Sequence, residues 1–329
     1  MATLVAAFGT SHSPALNSPL EDFPGHVRRD EQFQHHLDRE GRRTTYSQLV
    51  RDAAASIARE IEPSSLASRI AACEAHIEKL QAAIQAARLD ALVVVGDDQR
   101  EQYFEDNMPA FLVYCGETIR NLPLPAGDDS PAYWRRARAQ YHEPELARDY
   151  PVAAVLARHM VQEVVAHDFD VSYSDRLGRE RGEGHAFGFV HRRLLRSDSL
   201  PIVPVVVNTY YPPNQPRPAR CYRFGQALRA AIESWPEDRR IGVIASGGLS
   251  HFTIDEELDR LLLKSMRNKD EKALAVIAPA KLNNGSSEIR NWIVAAGAAE
   301  NLETRWQEYV PFYRSPAGTG CGMAFAVWG

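Results

Sequence analysis

Four apolar runs in this chain empty straight into loops of small and polar side chains, and that recurrence most limits the fold. Leu4-Val5-Ala6-Ala7-Phe8 leads into Gly9-Thr10-Ser11-His12-Ser13-Pro14, and Ala91-Leu92-Val93-Val94-Val95 into Gly96-Asp97-Asp98-Gln99. Ile202-Val203-Pro204-Val205-Val206-Val207 leads into Asn208-Thr209-Tyr210-Tyr211-Pro212-Pro213. Ile241-Gly242-Val243-Ile244-Ala245 leads into Ser246-Gly247-Gly248-Leu249-Ser250-His251. Short, β-branched runs without polar alternation suit strands covered on both faces. Between them lie segments of helical period. Ile70, Cys73, Ile77, Leu80, Ile84 and Ala87 recur at spacings of three and four, which predicts a helix over 68–88 with one buried stripe. Segments 152–166, 222–235, 256–267 and 286–300 read as further helices, and 322–328 as a last strand. This rhythm predicts an α/β fold: one domain over 1–329, with a central mixed or parallel sheet flanked by helices. In such sheets ligands bind beyond the carboxyl ends of the strands, so the four loops together mark the expected active site. Residues 17–48 and 120–150 read as insertions, the first a polar excursion with little core of its own.

Composition narrows the class. A chain of 329 residues is about twice a typical domain length. With 38 basic and 43 acidic residues the net charge is −5, which provides no electrostatic footprint for nucleic acid or an anionic membrane surface. No apolar run approaches the roughly 18 residues of a membrane span, and residues 1–8 lack the basic stretch of a secretory leader. Cys73, Cys115, Cys221 and Cys321 are far apart with no CxxC pair, as expected for reduced thiols in a cytoplasmic protein.

The loop residues have ordinary and chemical readings side by side. A lone loop histidine is usually a satisfied surface or capping group, yet Gly9 and Pro14 constrain the backbone around His12 as a ligand held at a defined angle requires. His251 follows two glycines that allow close backbone approach, and it equally suits a helix N-cap region with Ser250 or Thr253 as the cap. Glu257, six residues on, is expected in a first helical turn from the dipole alone. His185 lies in Gly182-Glu183-Gly184-His185-Ala186-Phe187-Gly188, a setting for either a packed core histidine or one available for proton transfer near neutrality. Other patterns fail their context. Gly318-Thr319-Gly320-Cys321-Gly322 precedes a strand, not a helix, so it is no dinucleotide fingerprint. No Gly-x-Ser-x-Gly elbow is present, which argues against an α/β-hydrolase. His35-His36 and Arg179-Glu180-Arg181 lie in charged, solvated stretches.

Taken in order, Gly9-Thr10-Ser11-His12-Ser13-Pro14, Asp97-Asp98-Gln99 with Asn107-Met108-Pro109-Ala110-Phe111, Val207-Asn208-Thr209-Tyr210-Tyr211-Pro212-Pro213, and Ser246-Gly247-Gly248-Leu249-Ser250-His251 with Glu257 resemble class III extradiol ring-cleaving dioxygenases. That family contains the catalytic subunit of protocatechuate 4,5-dioxygenase and the gallate and 3-O-methylgallate dioxygenases. The resemblance implies a non-haem Fe(II) on two histidines and one carboxylate, opening a catechol- or gallate-like aromatic acid with O2. It assigns His12 and Glu257 as ligands and His185 as the acid/base. Asn208, Tyr210, Tyr211, His251 and Asp98 become groups that hold the ring or orient ligands, and a homo-oligomer is expected. Two positions depart from the pattern. Gln99 stands where the family's second histidine ligand belongs, so Gln99 ligates, or Glu101 or His36 swings in, or the metal is lost. Tyr150 stands roughly where relatives carry a substrate-contacting histidine. Two further readings stay open: a non-catalytic, Memo-like binding protein on the same fold, and a metal-dependent hydrolase or lyase that does not use O2.

Overall fold

Parallel strands with no polar alternation must be covered on both faces, and the structure, a computed structural model, meets that demand with helices on each side of one large sheet. It describes residues 1–196 and 200–329. The strands in chain order are β1 (Thr3–Thr10), β2 (His36–Leu37), β3 (Arg43–Thr44), β4 (Ala91–Asp97), β5 (Phe111–Tyr114) and β6 (Thr118–Asn121). They continue as β7 (Arg148–Pro151), β8 (Ser172–Ser174), β9 (Ile202–Val207), β10 (Arg240–Ser246), β11 (Thr304–Tyr313) and β12 (Gly320–Trp328). The helices are α1 (Phe23–Gln32), α2 (Tyr46–Asp52), α3 (Ile57–Glu60), α4 (Pro63–Ala86), α5 (Ala132–Arg138) and α6 (Ala154–Ala166). After them come α7 (His185–Phe189), α8 (Pro218–Ser234), α9 (Glu256–Arg267), α10 (Glu271–Ala275) and α11 (Ile289–Ala298).

The main sheet has eight strands in the order β11-β12-β1-β10-β4-β9-β5-β8. Its centre, β1, β10, β4 and β9, is parallel, whereas β12 joins β1 antiparallel and β5 joins β9 antiparallel. The sheet is therefore mixed, and the expected α/β class holds. Register decides what the loops can do. Thr10 pairs with Ser246, Ala245 with Val95 and Asp97 with Val207, so the residues that follow these strands leave the sheet along one edge.

Two apolar layers sandwich the sheet. On one face α6, α8 and α11 bring Leu156, Phe224, Trp292 and Ile293 against Val93, Val203 and Val243. On the other, α4 lays down Cys73, Ile77, Leu80 and Ile84, the stripe expected from its spacing. Gly9 is fixed by this packing, since a Cβ there would lie 2.3 Å from the Trp292 ring. All four cysteines are buried free thiols. No helix among the described residues is long and apolar enough to cross a membrane. β11 was not anticipated: Thr-Arg-Trp-Gln-Glu-Tyr-Val lacks the apolar density of the central strands because it is the half-exposed edge of the sheet. The segment 17–48 is better anchored than its polarity suggests. Asp30 of α1 is buried and takes two hydrogen bonds from Arg314, at 2.7 and 2.8 Å, and one from Thr319 at 2.5 Å.

Candidate active site

The end of β1 delivers His12 into the interior. Ser11 is clamped to the neighbouring strand by two bonds, its amide to the Ala324 carbonyl at 2.8 Å and its Oγ from the Ala324 amide at 2.9 Å. The protonation of the His12 ring follows from its neighbour. Ser246 Oγ donates to the Ala186 carbonyl at 2.8 Å, so toward His12 Nδ1, 3.2 Å away, it must accept. Nδ1 carries the hydrogen, and Nε2 is left with a lone pair that is buried and unpartnered. Burial, with the neighbouring His185 adding to it, pushes the His12 pKa down to about 3, so the ring is neutral.

Glu288, immediately before α11, is the buried carboxylate of the cluster, at 2% exposure. It accepts from the Gly248 amide at 2.6 Å, from Gln99 Nε2 at 3.0 Å and from His251 Nε2 at 3.2 Å. Burial favours its neutral form, but His251, His12 and His185 together hold the carboxyl below its usual range. His251 faces acceptors at both nitrogens, the Leu249 carbonyl lying 2.8 Å from Nδ1. Burial would discharge that ring, and Glu288 outweighs burial to raise its pKa. The two close approaches need glycine: a Cβ on Gly285 would lie 1.9 Å from the His251 ring, and one on Gly248 2.7 Å from it.

The β4 loop supplies the rest. Asp98 caps its own turn, accepting from the amides of Gln102 at 2.8 Å and of Glu101 and Tyr103 at 3.1 Å, and so presents Glu101 inward. Glu101 then holds His185 twice at 2.9 Å, through the backbone amide and through Nδ1. Burial disfavours the His185 cation, yet Glu101, with Asp97 and Glu288 behind it, pushes the pKa up to about 10. The histidine that the sequence offered for proton transfer near neutrality is thus ion-paired, because its partner carboxylate comes from another loop. Asp97, at the end of β4, is raised by burial and by the charge of Glu288. Ligand atoms of Asp97, His185 and Glu288 all lie within 4.8 Å of one another.

These residues line a cavity of about 610 Å³, a size suited to a small ligand. His12, Gln99, Glu101, His185, His251 and Glu288 share it with Arg29 of α1 and with Trp134 and Arg138 of α5, so residues of the segments 17–48 and 120–150 both wall the site. Other expected residues fall elsewhere. Glu257 is exposed on α9, because Asp255 caps that helix and buries its Leu258 and Asp259 side instead. It does not line the cavity; the carboxylate that meets the histidines is Glu288. Glu288 left one signal in the sequence, a lone acid at the head of the apolar run Ile289-Arg290-Asn291-Trp292-Ile293-Val294. Tyr150 also lies outside the cavity lining, stacked on His191 at 3.8 Å with its hydroxyl on Glu143 at 2.5 Å. Asn208 builds its own loop, accepting from the Tyr211 amide at 2.9 Å and donating to the Tyr211 carbonyl at 2.6 Å. Tyr210 and Tyr211 are half-buried in that loop, and the Tyr211 ring lies under the Arg100 guanidinium. Neither tyrosine nor Asn208 lines the cavity. His36 is committed to the Asp30 carbonyl at 2.7 Å.

Residues 7–322 match the family described as the catalytic LigB subunit of aromatic ring-opening dioxygenase. The chain belongs to this family. Among curated relatives, gallate dioxygenase of Pseudomonas putida is 34% identical over 181 residues, 49% of this chain and 51% of that protein. The 2,3-dihydroxyphenylpropionate/2,3-dihydroxicinnamic acid 1,2-dioxygenase of Cupriavidus necator is 28% identical over 181 residues, 54% of this chain and 50% of that protein. The like-named enzyme of Paraburkholderia xenovorans is 29% identical over 216 residues, 61% of this chain and 58% of that protein. The chain thus spans about half the length of the curated relatives it matches.

Proposed function

We propose that this family member is an Fe(II)-dependent extradiol-type dioxygenase that opens the ring of a catechol- or gallate-like aromatic acid with O2. The observation that carries the proposal is the buried, unpartnered lone pair of His12 Nε2 in a cavity that also holds ionised Glu288. The donor set fits a divalent cation. Asp97 and Glu288 are two buried carboxylates whose ligand atoms lie within 4.8 Å of each other and of His185, and the charge of Glu288 raises Asp97, a strain that a bound cation would relieve. His12 Nε2 and Glu288 would hold the metal, with the carbonyl end of the Gln99 amide or Asp97 as the third donor. When bound, Fe(II) supplies the electron path between an electron-rich diol and O2.

The chain's own groups account for binding and protons. His185 is held by Glu101 through Nδ1, which leaves Nε2 as the nitrogen able to exchange a proton with a substrate oxygen. With a cation held beside it, His185 would release its proton more readily than from the Glu101 pair alone, as an acid/base exchanging a proton with substrate requires. His251 keeps Glu288 ionised and oriented. The buried thiols fit a cytoplasmic catabolic enzyme.

Gln99 favours one second reading, a metal-dependent hydrolase or lyase that does not use O2, because an amide oxygen is a harder and weaker ligand than imidazole. The test is O2 uptake by protein loaded anaerobically with Fe(II), against protocatechuate, gallate, 3-O-methylgallate and catechol. Uptake with a new yellow ring-fission absorbance supports the oxygenase. Iron-loaded protein that consumes no O2 with any of them overturns it.

A further inference from the structure

Four arginines line the cavity, and three are occupied. Arg314 is buried in its bidentate pair with Asp30. Arg138 is paired with Asp128. Arg181 is turned onto the Arg100 carbonyl at 3.2 Å and the Phe104 ring at 5.2 Å. Arg29 has no hydrogen-bond or ion-pair partner among the described residues. Its guanidinium lies 4.0 Å over the ring of Trp134, which also lines the cavity. A guanidinium stacked flat on an indole keeps its edge N–H groups free, and that edge matches the two oxygens of a carboxylate.

The platform beneath this pair is fixed. Asp30, the next residue of α1, is locked to Arg314 and Thr319. Arg136 of α5 bonds Asp22 at 2.9 Å, just before α1, and so ties the Trp134 helix to the Arg29 helix. The segment 17–48 therefore presents an unspent, partly solvent-exposed cation from a fixed helix to the same cavity that holds His12 and Glu288, and the segment 120–150 presents its aromatic support.

We propose that Arg29, laid on Trp134, is the specificity residue that binds the carboxylate of an anionic aromatic diol while the diol end meets the His12–Glu288 cluster. This rests on the ring-opening reading for the diol, but its test does not require turnover. Binding of protocatechuate, gallate and catechol to metal-loaded protein is measured by calorimetry without O2, for wild type, Arg29→Met and Arg29→Lys. The wild type is expected to prefer the two acids over catechol. Arg29→Met should weaken both acids by about tenfold or more, the scale of a charge-assisted hydrogen bond, with catechol unchanged, and Arg29→Lys should recover part of the loss. Equal weakening of catechol and the acids, no weakening, or a wild type without preference for the acids would overturn the assignment. Parallel O2 uptake separates the two readings: Arg29-dependent acid binding without any uptake sinks the oxygenase and keeps Arg29. Ring opening of the acids with unchanged KM in Arg29→Met does the reverse.

Discussion

Ser246→Ala gives the sharpest test of how the cavity sets the His12 tautomer on which the proposed metal site depends. The Ser246 hydroxyl is fully buried and does two things at once, donating to Ala186 at 2.8 Å and accepting from His12 Nδ1 at 3.2 Å. Removing it leaves the Nδ1–H of a buried ring without an acceptor, a penalty of about 1–3 kcal/mol. The ring can avoid that penalty by moving its hydrogen to Nε2, which blocks the lone pair the metal needs. Loss of a group that fixes a ligating histidine typically costs about 10–100-fold in metal affinity, or about 1.4–2.8 kcal/mol at tenfold per 1.4 kcal/mol. Competition of Fe(II) or Zn(II) between protein and a chromophoric chelator, without air, measures it directly, and a melting curve shows that the variant is folded. A folded Ser246→Ala protein with wild-type metal affinity would refute the tautomer argument.

Further outcomes follow from the same geometry. Glu288→Gln should abolish stoichiometric metal binding while Glu257→Gln leaves it intact; metal analysis of the two purified variants distinguishes them, and equal retention would remove Glu288 from the site. His185→Phe should keep the metal and lose about 2–4 orders of magnitude in kcat, the range of general acid/base catalysis; turnover near wild type would make His185 structural. In the metal-free protein the His185 ring should titrate in NMR far above the ordinary 6.5, near 10, and Glu101→Gln should pull it down because burial then prevails. With a raised His185 and a lowered Glu101, the stability from this pair is fully present only between the ordinary Glu and His values. It is lost as pH rises through the His185 value and as pH falls through that of Glu101. A melting temperature whose difference between wild type and Glu101→Gln is constant from pH 6 to pH 10 would contradict it.

Much of this was readable along the chain because the governing forces are local. β-branched runs, the stripe of α4 and the glycines around His12 and His251 announce the sheet, its cover and the edge where the loops gather. His185 and His12 are found there because each directly adjoins a punctuated turn. The carboxylate that meets the histidines, Glu288, was passed over for an equally physical reason. Glu257 lies in the first turn of α9 and Glu288 directly before α11, two helix starts where the dipole favours acids whatever their task, and only the packing of Gly248 and Gly285 against His251 shows which helix start faces the cavity. The ionised state of His185 was hidden because Glu101 reaches it across a gap of 84 positions. Tyr150 illustrates the limit of order along the chain, since its ring is spent on His191.

The position of β1 has a consequence for the order in which the cavity is completed. Thr10 is paired with Ser246 on one side and Phe325 on the other, so the strand that carries His12 is slotted between two partners made far later in synthesis. Closing loops of that length is slow compared with forming local helices. His12 is therefore made well before the two strands that fix its angle. A growing chain therefore leaves the His12 side of the cavity open until β10 and β12 have been made, and a chain cut short between those strands carries His12 with only one of the two partners that aim it.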